Sequence, residues 1–209
     1  MRRYEPPEGR VVQAYRFALE PTGAQAENLL RHAGAARFVF NHMLARVVAV
    51  RAQREAEASY GVAEADLTSW QGWSLPALRR TWNRVKADVA PWWGEVSKEA
   101  FNTGLDALSR ALGNWQSSRS GDRTGRRVGF PRFKSRNRSR MSVRFTTGAI
   151  RVAADRRHVV LPRLGRIRTA ESTRKLARRV RGGHRPDPVG DGGVHRGSLV
   201  LLVAGRGAP

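Results

Sequence analysis

From Arg119 to Arg144 the sequence sets ten Lys and Arg residues and a single acid, Asp122, around Phe130, Pro131 and Phe133. Cations at this density repel one another unless a polyanion neutralises them, and each neutralised phosphate releases condensed counterions. The chemistry on offer is therefore the holding of phosphate, with an aromatic turn that can stack on a base. Charge is concentrated in the second half of the chain: residues 1 to 115 carry a net +3 and residues 116 to 209 a net +19. Arg outnumbers Lys by 35 to 4, which favours planar, bidentate contact with phosphate. A coding bias towards GC-rich codons accounts for part of that ratio, but not for the net charge.

Acid and metal chemistry is poorly supplied. Asp122, Asp155, Glu171, Asp187 and Asp191 are the acids of the second half, and they fall in basic or turn-prone stretches. Two-cation phosphodiester cleavage needs carboxylates held rigidly on both sides of the scissile phosphate, which these positions do not promise. Asp187 and Asp191 come nearest to a metal set, but their Gly and Pro neighbours read as a linker. The five His residues show no ligand spacing and read as surface or capping groups. With no cysteine, thiol catalysis, disulfides and Cys-ligated zinc are excluded. No catalytic residue and no metal site are expected, and no cofactor. Without an apolar leader or spanning stretch, the expectation is a cytoplasmic protein with no membrane partner. Oligomeric state is not legible.

The elements that must carry the basic segment can be read from periodicity. Residues 11 to 20 alternate as a strand ended by Pro21. Thr22 and Gln25 have capping-box spacing and open a helix expected to break near Gly34. Beyond it Phe38, Val39, Met43, Val47 and Val50 form the stripe of a long helix reaching about Ser59, with Arg37, Arg46, Arg51 and Arg54 off that stripe. Residues 60 to 72 read as a loop. Ser74 and Pro76 start a helix that runs to Val89 and is closed by Pro91, and a further helix fits residues 97 to 116 through Phe101, Leu105, Leu108, Leu112 and Trp115. Its Leu and aromatic positions read as core.

After the basic segment the period becomes two, with short strands at residues 141 to 145, 149 to 152, 158 to 161 and 164 to 168. Residues 171 to 179 could add a short basic helix. The fold class is thus α+β: a small wedge-like barrel or sheet interrupted after its first strand by a helical bundle. The boundaries are a discontinuous β domain at 11 to 20 plus 128 to 180, a helical lobe at 21 to 118, a basic linker at 119 to 127, and a disordered or aberrant tail at 181 to 209.

Six segments in order carry a family likeness: AYRFALEPTGAQ (14 to 25), GAARFVFNHML (34 to 44), PWWGEVSKEAFNTGLDAL (91 to 108), VGFPRFKSR (128 to 136), RFTTGAI (144 to 150) and HVVLPRLGRIRTAESTRKLARR (158 to 179). Together they resemble the N-terminal half of the OrfB/TnpB proteins of insertion sequences, transposase-associated RNA-guided DNA nucleases similar to ancestors of type V CRISPR effectors. The resemblance implies a wedge barrel split by a recognition lobe, with a RuvC-like nuclease domain and a zinc ribbon following in full-length members. It implies two partners, a guide RNA derived from the transposon end and target DNA. A divalent metal is implied only for that nuclease domain.

By the same likeness, Lys98 and Asn102, four residues apart on one helix face, would offer polar groups to the duplex flanking the target, although such a pair also suits plain solvated surface. Arg132 and Lys134 would clamp backbone, and Phe133 would be either a stacking platform or a core plug. Arg126, Arg127, Arg136, Arg138 and Arg140 complete the candidate binding set.

From Arg181 the likeness stops, and the last 29 residues contain eight Gly. Read one nucleotide later with ordinary GC-rich codons, the bases for residues 184 to 200 can encode an alternating strand, an Ala-Gly turn and a second strand, the hairpin expected next in the family. The expectation is a frame lost near residues 181 to 184, and with it a barrel whose edge beside Val159 to Leu161 or Leu164 to Arg168 lies open. Residues 199 to 203 could pair as a substitute strand, but their apolar run favours sticking to other chains over completing the sheet. The reading is therefore a truncated, non-cleaving binder of RNA or DNA. A degenerate product without function and an unrelated structural binder of ribosomal RNA are the alternatives.

Overall fold

The computed structural model describes residues 16–139, 141–146, 150–174 and 198–202. Strand β1 (Leu19–Glu20) is followed by helices α1 (Gly23–Ser59) and α2 (Leu75–Val89), a short 3-10 helix (Pro91–Glu95) and helix α3 (Lys98–Ser120). Strands β2 (Ser142–Thr146), β3 (Arg151–Val152), β4 (His158–Leu161), β5 (Gly165–Thr169) and β6 (Ser198–Leu202) complete the order. The expected mixed class holds.

Helix α1 opens on the capping box read from sequence: the Gln25 N–H donates to Thr22 Oγ1, and the Thr22 N–H donates to Gln25 Oε1 at 3.0 Å. It does not break at Gly34. One Gly in a helix interior costs about 1 kcal/mol, and the stripe of Leu29, Ala33, Ala36, Phe40, Met43, Leu44 and Val47, all buried, runs past it without interruption and outweighs that cost. Helix α2 is capped by the Ser74 hydroxyl with Pro76 in its first turn, as expected. Helix α3 is capped by Ser97 and ends at Gly121, whose φ of 84° only Gly adopts without strain. It therefore runs one turn beyond the expected end at residue 116.

Helices α1 and α3 meet where Gly104 faces the Ala36 carbonyl; a Cβ there would lie 2.2 Å from that oxygen and 2.5 Å from Val39 Cγ1. Around this crossing Trp82 packs on Phe101 with ring centroids 5.0 Å apart, and Phe38 meets Trp92 edge to face at 5.4 Å. The core continues without a gap from the helices into Val143, Phe145, Val159, Leu161, Leu164 and Ile167 of the strand half.

The strands form a four-stranded antiparallel sheet in the order β1-β5-β4-β3 and a separate β2-β6 pair. Pairing of β1 with β5, Leu19 opposite Thr169, places the whole helical block between two neighbouring strands, as the sequence order suggested. Among the described residues the edge expected to lie open beside β4 or β5 is covered in part: β3 pairs with Val159 and Val160 of β4, and β1 with Arg168 and Thr169 of β5, leaving Gly165 to Ile167 without a strand on that side. The cover at the end of β5 comes from β1, which is only two residues long. Residues 198–202, in the stretch read as an aberrant tail, pair antiparallel with β2, Leu201 opposite Val143, so the apolar run expected to favour other chains is paired within this one. Residues 11 to 15 of the first expected strand, residues 175 to 179 of the helix expected at 171 to 179, and most of the tail lie outside the described residues; residues 16 to 18 are described and precede the strand, which is confined to Leu19–Glu20.

Candidate nucleic-acid interface

The basic segment is an extended strap laid antiparallel along α1 and fastened at three places. Phe130 meets Trp115 edge to face, centroids 5.0 Å apart, with the Arg51 guanidinium 6.0 Å from its ring. Ten residues nearer the start of α1, Asn41 holds the backbone of Lys134 from both sides, donating to its carbonyl at 2.9 Å and accepting from its N–H at 2.8 Å. At the third point Arg37 Nη1 reaches Met141 Sδ at 3.7 Å. Beyond it the Arg144 N–H donates to Thr103 Oγ1 at 3.0 Å, tying β2 to α3.

Fastening decides which side chains face outward. Arg126, Arg127, Arg132, Arg136 and Arg138 are exposed, and so is Phe133, at 58%. Phe133 is thus no core plug; Phe130 takes that place. Arg140 lies outside the described residues. Lys134 does not share the outer face of Arg132: its ammonium sits 4.0 Å from the Phe40 ring, half-buried, and burial, with Arg110 nearby, lowers its pKa from the usual lysine value. The Asn41 contacts to its backbone hold Lys134 inward while Arg132 and Phe133 are both exposed, so the strap does not alternate as a strand would.

Lys98 and Asn102 do share one face, at the start of α3. They line a groove of about 610 Å³ between α2, α3 and the turn at Pro162 and Arg163. Asn102 Oδ1 accepts from Arg79 Nε at 3.0 Å, and Lys86 Nζ lies 4.0 Å from the half-exposed Trp93 ring. Arg79, Lys86, Lys98 and Arg163, against one acid, Glu99, give the groove a net cationic lining. Arg163 adopts a left-handed φ of 62° at the β4-β5 turn, which brings the strand half to the mouth of the groove. The structure thus joins Lys98 and Asn102 to three cations that periodicity did not associate with them.

Several working residues escaped sequence reasoning. His32, read as surface or cap, is 1% exposed; one ring nitrogen meets the Asn28 carbonyl at 2.7 Å and the other accepts the Ser97 N–H at 3.0 Å. Burial, opposed by the Asn28 contact, and the Arg163 charge lower its pKa. Arg54, placed off the apolar stripe, is buried: it pairs with Glu64, donates to the Thr68 carbonyl at 2.6 Å and lies 4.4 Å from the Trp70 ring, ordering the loop after α1. Asp155 accepts from both His158 and Arg166 across the β3-β4 turn. Although desolvation opposes it, hydrogen bonding from the Arg157 N–H, His158 and Arg166 lowers its pKa to about 2. A helical period of four between His32 and Asn28 was the only sequence signal available for the first of these.

Among the described residues no three His, Asp or Glu side chains come together as a metal site would require, so no chemical step is derived through a metal ion. No helix among them is long and apolar enough to cross a membrane.

Residues 11–55 match a family model described as a helix-turn-helix domain, that of OrfB proteins of IS605-type insertion sequences. In the structure residues 23 to 55 of that span belong to one continuous helix. Over 187 residues, 86% of its length, the chain is 45% identical to proteins of two Mycobacterium tuberculosis strains, each named "Putative RNA-guided DNA endonuclease". A protein of the same description from Escherichia coli, InsQ, is 28% identical over 161 residues. The chain spans 39% of the length of the mycobacterial relatives and 34% of that of InsQ.

Proposed function

The chain belongs to the OrfB/TnpB family of insertion-sequence proteins, and from this membership we propose that it is a nucleic-acid-holding platform, binding a guide RNA made from the transposon end and presenting it to target DNA. The observation that carries the reading is the strap: five exposed arginines and an exposed Phe133 on a backbone that Asn41 and the Phe130 and Met141 contacts hold in one shape. A fixed row of cations meets phosphates without first losing chain entropy, and an exposed ring between them takes a base face. The cationic groove at Lys98 and Asn102 is the part suited to duplex DNA, its polar groups four residues apart on α3.

In this reading the described chain binds in the cytoplasm and does not cut; chemistry on the phosphodiester belongs to metal-holding carboxylates that the described residues do not bring together. The test is binding of labelled transposon-end RNA against scrambled RNA over a salt series, followed by incubation with matched target DNA and Mg²⁺. Preference for the transposon-end RNA with a steep salt slope and intact DNA is the expected result. Equal binding to every polyanion removes the guide-RNA reading, and a guided cut removes the non-cleaving one.

A further inference from the structure

Beside the third fastening point of the strap lies a recess of about 310 Å³ between α1, α3 and β2. Four cations line it, Arg37, Arg110, Lys134 and Arg144, against one carboxylate, Asp106. Asp106 is buried, and one of its oxygens serves two of them, lying 2.9 Å from Arg110 Nη2 and 3.1 Å from Arg144 Nη2. Arg37 is left with the thioether of Met141, and Lys134 with the face of Phe40. Neither partner carries charge. A half-enclosed recess thus holds an excess of positive charge that its own acid does not balance, an arrangement that costs free energy until an anion enters. The lowered pKa of Lys134, caused by burial and then by Arg110, is the same imbalance seen from one ammonium.

We propose that this recess seats a single phosphodiester group of a bound nucleic-acid strand, with Arg37 and Lys134 as its direct partners and the Asp106 pair holding Arg110 and Arg144 in place behind it. The proposal rests on the platform reading and refines it. Its volume suits one phosphate with its sugar and excludes a duplex. Ser139 and Ser142 supply hydroxyl donors at the lining, a set that hydrogen-bonds phosphate oxygens well. Lys134 faces into the recess while its neighbours Arg132 and Phe133 face out, so a strand lying on the strap passes over the mouth of the recess and can turn one phosphate inward.

The experiment is fluorescence anisotropy of a labelled single-stranded RNA and a single-stranded DNA of the same sequence, over a salt series, with the wild type, Arg37→Gln and Arg37→Lys. Among the described residues Arg37 has a thioether as its polar contact to lose, so folding is expected to survive, and a thermal melt of each variant checks it. Arg37→Gln is expected to reduce the salt slope by about 0.7, the value for one phosphate contact on a single strand, and Arg37→Lys to restore it. A loss seen with RNA alone identifies the strand as RNA, and a loss seen with both identifies any phosphodiester chain. Wild-type protein with no salt-dependent binding overturns the platform and the recess together. Wild-type binding with a normal slope in Arg37→Gln overturns the recess alone.

Discussion

Asn41 and Lys134, ninety-three residues apart, exchange two hydrogen bonds in which a single side-chain amide takes both polar groups of a strap residue's backbone. The amide does for the strap what a neighbouring strand does in a sheet, satisfying N–H and C=O together. Replacing Asn41 with Ala leaves both groups half-buried and without that partner, and is expected to cost about 1–3 kcal/mol. Nucleic-acid affinity should fall with it, because Arg132 and Phe133 lose their fixed spacing. Asn41→Asp keeps the acceptor, loses the donor, and should fall between the two in a urea melt.

Much of this frame was legible because it is local. Thr22 and Gln25 announce the start of α1, Ser74 and Pro76 that of α2, and β4 lies where alternation put it. What escaped depends on partners distant in sequence. Arg54 looked like surface because Glu64, Thr68 and Trp70, which enclose it, sit in a loop with no period. Lys134 looked as exposed as Arg132 because nothing in GFPRFKS says which side chains Asn41 will turn inward. Gly34 looked like a break because a propensity of about 1 kcal/mol is visible in a sequence, whereas the packing that overrides it is not.

Gly104 should be irreplaceable. Ala would raise helix propensity by about 1 kcal/mol, but its Cβ would meet the Ala36 carbonyl at 2.2 Å, and backbone cannot move aside as a flexible side chain can. Gly104→Ala is therefore expected to destabilise by at least about 1–3 kcal/mol, the cost of an overpacked core. Gly34→Ala, at a position with nothing within 4 Å, should stabilise instead. Opposite shifts in melting temperature for the two variants are the expected outcome; equal shifts would mean that α1 and α3 do not cross at this separation.

Stability should depend on pH through His32. Its folded pKa is lowered, by burial first, so the unfolded chain binds the proton more tightly. The contribution is fully present above the unfolded pKa of about 6.5 and is lost as pH falls through that value towards the folded one. Protonation would also turn the nitrogen that accepts the Ser97 N–H into a donor facing a donor, with Arg163 adding repulsion and Phe145 offering no compensating charge. His42 shifts in the same direction, by burial and Arg46, so the wild-type curve alone does not isolate the effect. The difference between wild type and His32→Gln does: the wild type should lose its advantage between about pH 7 and pH 5. A difference constant across that range would show that His32 takes up its proton equally readily in the folded and unfolded states.

Phe130 and Phe133, three residues apart on the strap, should separate stability from binding. Phe130 is packed edge to face on Trp115, so Phe130→Ala removes part of the core and is expected to destabilise by about 3 kcal/mol, at the lower end for a buried ring because this one is only partly covered. Phe133 is exposed and contributes little to folding, so Phe133→Ala should leave the melting temperature unchanged. If its ring stacks on a base, the same change weakens single-strand binding by about 1–3 kcal/mol, roughly five- to 150-fold. It should do so without altering the salt slope, since no phosphate contact is lost, which distinguishes it from Arg132→Ala, where affinity and slope fall together. A Phe133→Ala protein that melts normally and binds as tightly as wild type would strip the strap of its aromatic role and leave it a purely electrostatic surface.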